Sequence, residues 1–470
     1  MGVLLHISPF FVRAALQHLR TTRVFFTIPV VIFAQIILLA SIFEAKIYDV
    51  AAVLLAVGNS GEQSYQLACG ALRLLYFSIV TAYFVTNFPR FRVKTPLEFC
   101  SIGDSSARAK YYKSAISELS PRAKLSIVSK SESGDLTEDG LARHFSKNNQ
   151  VYLISTPTPY HFKYVLELAR LEKRFFCEKP LVQNRSELRL LRSHFANLFA
   201  QGFLMQYYIL DKSLALTYLF YPFREYELAL AGPRSESVLA ERRPELAWKL
   251  KQLGRIERIA VHVREGGGRD PSGDTLAWTE QRKYGGAFWD LGIHAFSLVR
   301  LIVGPNARFI VNELAARHSA ARLSKISHVE QQEMAPSSFE IKAKATLAEG
   351  AEVGIEISFG KFFPEQEQKR DCVIHFEHGR IVHNIDDKSV NLILKGSDVG
   401  LTVRNECREL NYWTILVLGL AQLDGELPYR LDVPEVQMAA IDDMLGVEEM
   451  FQAVLAPPQK ERSVESVEGA

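Results

Sequence analysis

Apolar and polar positions change period several times along the chain, and the changes mark its elements. Val151 to Ser155 is a short apolar run, the pattern of a strand buried on both faces. Thr156-Pro157-Thr158-Pro159 ends it, because proline lacks the ladder donor and restricts the residue before it. From Tyr160 onward Phe162, Val165, Leu166, Leu168 and Ala169 recur at helical spacing, and Arg174 to Cys177 reads as a second strand. This predicts a βαβ unit with polar residues after both strands, Glu178-Lys179-Pro180 following the second. That is the edge at which open parallel sheets bind ligands. Leu97 to Ile102 and Leu125 to Val128 read as strands upstream, separated by a helix ending near Leu119. Ser186 to Phe199 reads as an amphipathic helix and Gly202 to Tyr208 as a further strand.

The second half changes to period two. Arg255 to Arg264 alternates as a half-buried strand, as do Phe339 to Leu347 and, after a Glu349-Gly350 turn, Val353, Ile355 and Ile357. Val373 to Phe376, a His378-Gly379 turn and Arg380 to Val382 predict another hairpin. This is a mainly antiparallel sheet closed by helices over Trp413 to Leu423 and Glu435 to Leu455. Gly266 to Thr275 reads as a glycine- and aspartate-rich loop, and residues 456–470 as a disordered tail.

The first ninety residues follow neither pattern. Val24 to Phe43 holds twenty residues without a formal charge, enough at about 1.5 Å per residue to cross a hydrocarbon core of about 30 Å. Leu67 to Phe88 is a second candidate span, with Arg73 near its start; Ile47 to Val57 is too short to cross. The alternatives are buried helices of a soluble domain and a secretory signal. An apolar run this long and the lack of a small-x-small site argue against the signal. Arg13, Arg20 and Arg23 precede the first span and Arg90, Arg92 and Lys94 follow the second. The connection holds Glu44, Lys46, Asp49 and Glu62 and is net acidic, so the positive-inside rule predicts a helical hairpin with both ends in the cytoplasm. Val57-Gly58-Asn59-Ser60-Gly61 superficially resembles a phosphate loop, but no βαβ unit follows it.

Composition narrows the classes. The chain of 470 residues has room for two or three domains, and a net charge of +2 gives no reason to expect nucleic-acid binding. The five cysteines are scattered without C-x-x-C spacing, which argues against a disulfide framework or a zinc site and favours a reducing compartment. No metal is expected.

T-P-x-x-x-H before a helix, then a strand ending in C-E-K-P, resembles the Gfo/Idh/MocA oxidoreductases. Gly285-Gly286-Ala287-Phe288-Trp289-Asp290-Leu291-Gly292-Ile293-His294 matches that family's second signature, G-G-x-x-x-D-x-G-x-H. The resemblance runs from about Pro96 to Leu455. It implies an α/β chain: a Rossmann-type, doubly wound parallel sheet over 96–205, then an α+β substrate and oligomerisation domain over 206–455. Residues 1–92 would be a membrane-anchoring region outside the family. The open sheet face implies a homo-oligomer.

By the same resemblance the cofactor is NADP, with NAD possible. Its binding residues would be Gly103, Ser105, Arg108, Ser129, Lys130, Thr156, Pro157, His161, Glu178, Lys179 and Pro180. A dinucleotide loop wants G-x-G-x-x-G/A, so that bare backbone approaches the pyrophosphate at a helix N-terminus. Here only Gly103 is kept, with Ser105 and Arg108 at the other two positions. The second strand ends in Ser129-Lys130 where an acidic residue would hold the ribose of NAD, which favours a 2′-phosphate. Asp211, Lys212 and Trp278 are candidate substrate contacts, a surface turn being the alternative for the first two.

Oxidising a secondary alcohol needs a base titrating near neutral pH and a cation beside the developing alkoxide. His294 and Lys179 suit those tasks, and the resemblance assigns them so, with Asp290 binding substrate and orienting the histidine. The expectation is an NAD(P)-dependent oxidoreductase acting on CH–OH groups of a sugar, cyclitol or nucleotide-linked sugar. Two alternatives stand beside it: a non-catalytic relative whose cofactor loop has degenerated, and a redox-neutral sugar-modifying enzyme with tightly held NAD.

Overall fold

The computed structural model describes residues 98–103, 106–120, 122–128, 151–222, 226, 238–266, 276, 279–396, 400–405, 411–424 and 432–455. The two N-terminal apolar runs, the acidic connection between them and the C-terminal tail lie outside these residues. The chain divides into two compact units, Met1–Arg92 and Val93–Ala470, and every described residue belongs to the second.

Five strands form a wholly parallel sheet. They are β1 (Glu98–Ile102), β2 (Lys124–Val128), β3 (Val151–Ile154), β4 (Arg174–Glu178) and β5 (Gly202–Met205), in the order β2-β1-β3-β4-β5. The chain steps from β1 to β2 on one side and resumes at β3 on the other, so the topological switch lies between β1 and β3. All of β3 and β5 is buried, which explains their unbroken apolar runs. Helices α1 (Ser106–Leu119), α2 (His161–Arg170) and α3 (Arg185–Leu198) flank the sheet. Helix α2 buries Phe162, Val165 and Leu168 but exposes Leu166, which falls outside its apolar stripe. Helix α3 starts at Asn184, whose side chain accepts from the Glu187 N–H at 2.8 Å, a cap worth about 1 kcal/mol.

The strand expected over Gly202 to Tyr208 stops at Met205. A π-helical turn, Tyr208–Lys212, takes over and runs into α4 (Leu214–Phe220). Helix α5 (Val238–Gln252) has an apolar pattern too weak to predict it. An eight-stranded mixed sheet follows, built from β6 (Ile256–Arg264), β7 (Arg308–Arg317), β8 (Ser338–Thr346), β9 (Glu352–Gly360), β10 (Lys369–Phe376), β11 (Gly379–Asn384), β12 (Ser389–Leu394) and β13 (Leu401–Arg404). Its order is β13-β12-β11-β10-β6-β9-β8-β7, antiparallel except where β6 meets β9. The two predicted hairpins are present as β8–β9 and β10–β11.

Alternation on β8 turns Phe339, Ile341, Ala343 and Ala345 inward and Glu340, Lys342 and Lys344 outward. The inward face is covered by α6 (Ile293–Val303), all eleven residues of which are buried. Arg282–Val303 is long and apolar enough to cross a membrane, but its most apolar eighteen-residue stretch is almost wholly buried inside the protein. Helix α7 (Trp413–Leu423) leaves the second sheet and returns to pack on α1 and β5 of the first. Helix α8 (Asp432–Leu455) covers α6, and Arg300 of α6 grips Asp443 of α8 with two hydrogen bonds of 2.6 Å.

Candidate active site

The site grows from the carboxyl ends of β1, β3 and β4. Gly103 follows β1 with φ +115°, and a Cβ there would sit 2.9 Å from the Ser155 carbonyl oxygen. Only glycine lets the loops after β1 and β3 touch in this way. Helix α1 starts three residues later, so a strand, a positive-φ glycine and a helix N-terminus follow one another in the order that cradles a phosphate. At the same edge the Thr156 hydroxyl is buried with no hydrogen-bond partner among the described residues. A buried hydroxyl without a partner suits a polar ligand lying over this edge. Ser105, Ser129, Lys130 and Trp278 lie outside the described residues, as does the side chain of Arg108.

His161 does something other than contact cofactor. Its ring is buried, with Nδ1 2.7 Å from the Pro180 carbonyl oxygen and Nε2 2.7 Å from that of Thr156. Both nitrogens are turned to backbone, so His161 ties the loop after β3 to the loop after β4. That corrects its assignment as a cofactor ligand: it shapes the edge through Thr156, Pro157 and Pro180. Glu178 is likewise internal. Its Oε1 accepts from the hydroxyls of Tyr112 on α1 and Tyr412 before α7, each at 2.8 Å. Tyr412 also stacks on Tyr207, with ring centroids 4.6 Å apart. Cys177 is fully buried, and burial pushes its thiol well above the ordinary range, so it is no nucleophile.

Lys179 crosses to the second sheet's helix. Its Nζ donates to the Asp290 backbone carbonyl at 2.7 Å and lies 3.3 Å from Asp290 Oδ1. Asp290 lies within a π-helical turn, Phe288–Gly292, that leads into α6. Asp290 Oδ2 lies 2.9 Å from Lys361 Nζ, a residue that follows β9. His294 is buried on α6, and its ring stacks on Tyr208 with centroids 3.7 Å apart and planes 16° apart. Tyr208 begins the other π-helical turn, so both such turns present groups to the site. Burial pushes the Tyr208 hydroxyl above its usual range, while a hydrogen bond from Arg370 opposes the shift. Glu265, after β6, is also pushed up by burial, against the attraction of Arg370, Lys361 and Lys179.

The expected substrate contact Asp211 is a correction. It is fully buried, Oδ1 accepting from Lys388 Nζ at 2.6 Å and Oδ2 from the Tyr412 N–H at 3.0 Å. Every bond it makes is to the protein, so it braces β5's exit against the second sheet and α7. Lys212 points elsewhere, its Nζ 5.8 Å from the Tyr207 ring centroid. Burial and the Lys388 ammonium hold its pKa below the lysine range. Lys361, Glu265, Arg370 and Tyr208 escaped sequence reading, since none belongs to a spaced motif. The one trace of Lys361 is its place two residues after Phe359, where the period-two run Val353, Ile355, Ile357, Phe359 would put another apolar side chain.

No family model and no curated protein matches the sequence. Solved structures do match in shape. An oxidoreductase from Sinorhizobium meliloti is 12% identical with a TM-score of 0.52, over 76% of this chain and 98% of its own. Biliverdin reductase from Synechocystis sp. PCC 6803, solved with biliverdin and NADP+, is 13% identical with a TM-score of 0.50, over 75% and 99%. A Gfo/Idh/MocA family oxidoreductase from Vibrio cholerae is 10% identical with a TM-score of 0.47, over 77% and 100%. The chain shares its fold, a parallel sheet followed by a larger mixed sheet, with the first two of these structures.

Proposed function

We propose that this chain is an NADP-dependent oxidoreductase of the Gfo/Idh/MocA type, interconverting a hydroxyl and a keto group on a sugar-like small molecule. The observation that carries the reading is the Lys179–Asp290 contact. A lysine from the nucleotide-binding edge meets the carboxylate of the second signature, four residues before His294. The nicotinamide, when bound, supplies or accepts the hydride.

The chain's own groups then have separate tasks. Lys179 keeps its ammonium at the reacting oxygen and favours the negative charge that develops there. His294 takes the hydroxyl proton in oxidation and returns it in reduction, and the stacked Tyr208 ring fixes its plane. Asp290 holds Lys179 in place. The NADP preference rests on Ser129-Lys130 at the end of β2 and on the NADP+ bound by the biliverdin reductase of the same fold.

Ser105 and Arg108 in the glycine loop favour a second reading, a non-catalytic relative. For the first ninety-two residues we propose a membrane anchor with the catalytic part in the cytoplasm, supported by their uncharged runs and flanking arginines.

The test is fluorescence titration of the full chain with NADPH and NADH, with Lys130→Asp alongside, followed by a screen of sugars and ketosugars. Saturable NADPH binding that Lys130→Asp weakens, plus turnover of one candidate, is the expected result. A folded chain that binds neither nucleotide overturns the reading in favour of the non-catalytic one.

A further inference from the structure

We propose that Glu265 and Arg370 form the specificity wall of the site, selecting a neutral, polyhydroxylated ligand over an acidic one. The inference deepens the functional reading above and rests on it for placing the ligand's reacting end at Lys179.

The wall comes from the alternation of the second sheet. Inward positions are apolar and buried along three neighbouring strands: Ile259, Val261 and Val263 on β6, Ile357 and Phe359 on β9, Ile374 and Cys372 on β10. Two residues further along each run, the inward position is charged instead, as Glu265, Lys361 and Arg370. Val263 lies opposite both Phe359 and Arg370, and the Glu265 N–H donates to the Gly360 carbonyl oxygen at 2.9 Å. The three changes therefore fall together at one rim of the sheet. Charge at three adjacent inward positions carries a desolvation cost that a core would avoid.

Along this rim the charges alternate in sign up to the site. Asp386 lies 3.4 Å from Arg370, and Arg370 lies 3.5 Å from Glu265. Lys361, beside Glu265, pairs with Asp290 at 2.9 Å, and Asp290 lies 3.3 Å from Lys179. The row opens outward, from 6% side-chain exposure at Lys179 to 28% at Glu265 and 37% at Arg370. Arg370 also donates to the Tyr208 hydroxyl, and the Tyr208 ring stacks on His294. The wall thus stands one tyrosine length from the histidine.

A ligand with its reacting carbon at Lys179 and His294 carries its remaining groups over Glu265 and Arg370. A hydroxyl there donates to the carboxylate and accepts from the guanidinium. A carboxylate or phosphate meets Glu265 as a like charge, and Arg370 already faces two carboxylates, so an anion is turned away.

The test is ligand-observed NMR titration of the full chain, with and without NADP+, using D-glucose and D-galactose against D-glucuronate and D-galacturonate. The wild type binds at least one neutral sugar more tightly than the matching uronate. Glu265→Gln raises the uronate-to-sugar affinity ratio about tenfold or more, because a like charge is gone. Arg370→Met keeps that charge, removes the cation and moves the ratio the opposite way. Glu356→Gln, on the outer face of β9 and paired with Arg258, leaves the ratio unchanged.

An unmoved ratio in a folded Glu265→Gln protein overturns the proposal, and so does an equal change in Glu356→Gln. A wild type that binds NADPH but none of the four sugars overturns it while the oxidoreductase reading stands. Sugar binding that obeys the charge rule in a chain that binds no NADPH keeps the wall, and the oxidoreductase reading falls.

Discussion

Lys179 reaches from the end of β4 to the backbone carbonyl of Asp290 at 2.7 Å, and this contact brings the two signature motifs together across 111 residues of sequence. It also separates the roles of the two residues. On the proposed function Lys179→Met removes the cation beside the reacting oxygen, and it is expected to lower kcat by about 100- to 10,000-fold while leaving NADPH affinity within a few-fold. Asp290→Asn keeps the carbonyl acceptor and is expected to lose less, about 10- to 100-fold. Steady-state kinetics beside nucleotide titration check both. Equal losses of turnover and nucleotide binding in Lys179→Met would make Lys179 a cofactor anchor instead.

Gly103 gives a test of the nucleotide edge itself. Alanine there must hold φ +115° and place its Cβ 2.9 Å from the Ser155 oxygen, so the loops after β1 and β3 have to part. The strain is about 1–3 kcal/mol. Gly103→Ala is expected to fold with a lowered melting temperature and to lose NADPH binding more than tenfold. Gly350 is the control, since it also has positive φ but a Cβ there would meet nothing within 4 Å. Gly350→Ala should leave nucleotide affinity unchanged.

The parts of this protein that sequence revealed are those in which one local rule governs. The buried strands β3 and β4, the hairpins β8–β9 and β10–β11 and the helix Trp413–Leu423 each announce themselves by period or by turn residues. Lys179, Asp290 and His294 stood out because they sit in two spaced motifs. Asp211 was a candidate substrate group because the family resemblance implies that the end of this strand faces the substrate. Here the π-helical turn Tyr208–Lys212 rotates it inward to Lys388, 177 residues away. His161 was misread for a similar reason, since its two carbonyl partners lie in separate loops that only the fold brings together. Lys361 shows locally only as a lysine where the period-two run would place an apolar residue, and its partner Asp290 at 2.9 Å is distant in sequence.

The buried pair Asp211–Lys388 is expected to be a matter of stability. Both side chains are at most 1% exposed, and Asp211 also receives the Tyr412 N–H. Lys388→Met leaves a carboxylate buried without its cation and is expected to cost about 3–5 kcal/mol in chemical denaturation. Asp211→Asn with Lys388→Met together should cost less than the sum of the two singles, because neither charge is then stranded. If Asp211 instead met substrate, Asp211→Asn would raise KM in a protein of normal stability.

His383 makes stability depend on pH. It is fully buried on β11 between the Ser389 carbonyl, which accepts from Nδ1 at 2.8 Å, and the Ser213 hydroxyl, 2.7 Å from Nε2. The neutral ring satisfies both, donating at Nδ1 and accepting at Nε2. Burial holds its pKa down at about 4, against an ordinary 6.5. The unfolded chain therefore takes up a proton below pH 6.5 that the folded chain refuses until near pH 4. The stabilisation is complete above 6.5 and is lost as pH falls through that window. Between pH 7.5 and 5 this group removes about 2 kcal/mol. Urea unfolding of the full chain at the two pH values measures it. His383→Gln cannot titrate, so its stability should fall by about 2 kcal/mol less over the same interval than that of the wild type. Parallel falls in both proteins would mean that His383 is protonated in the fold.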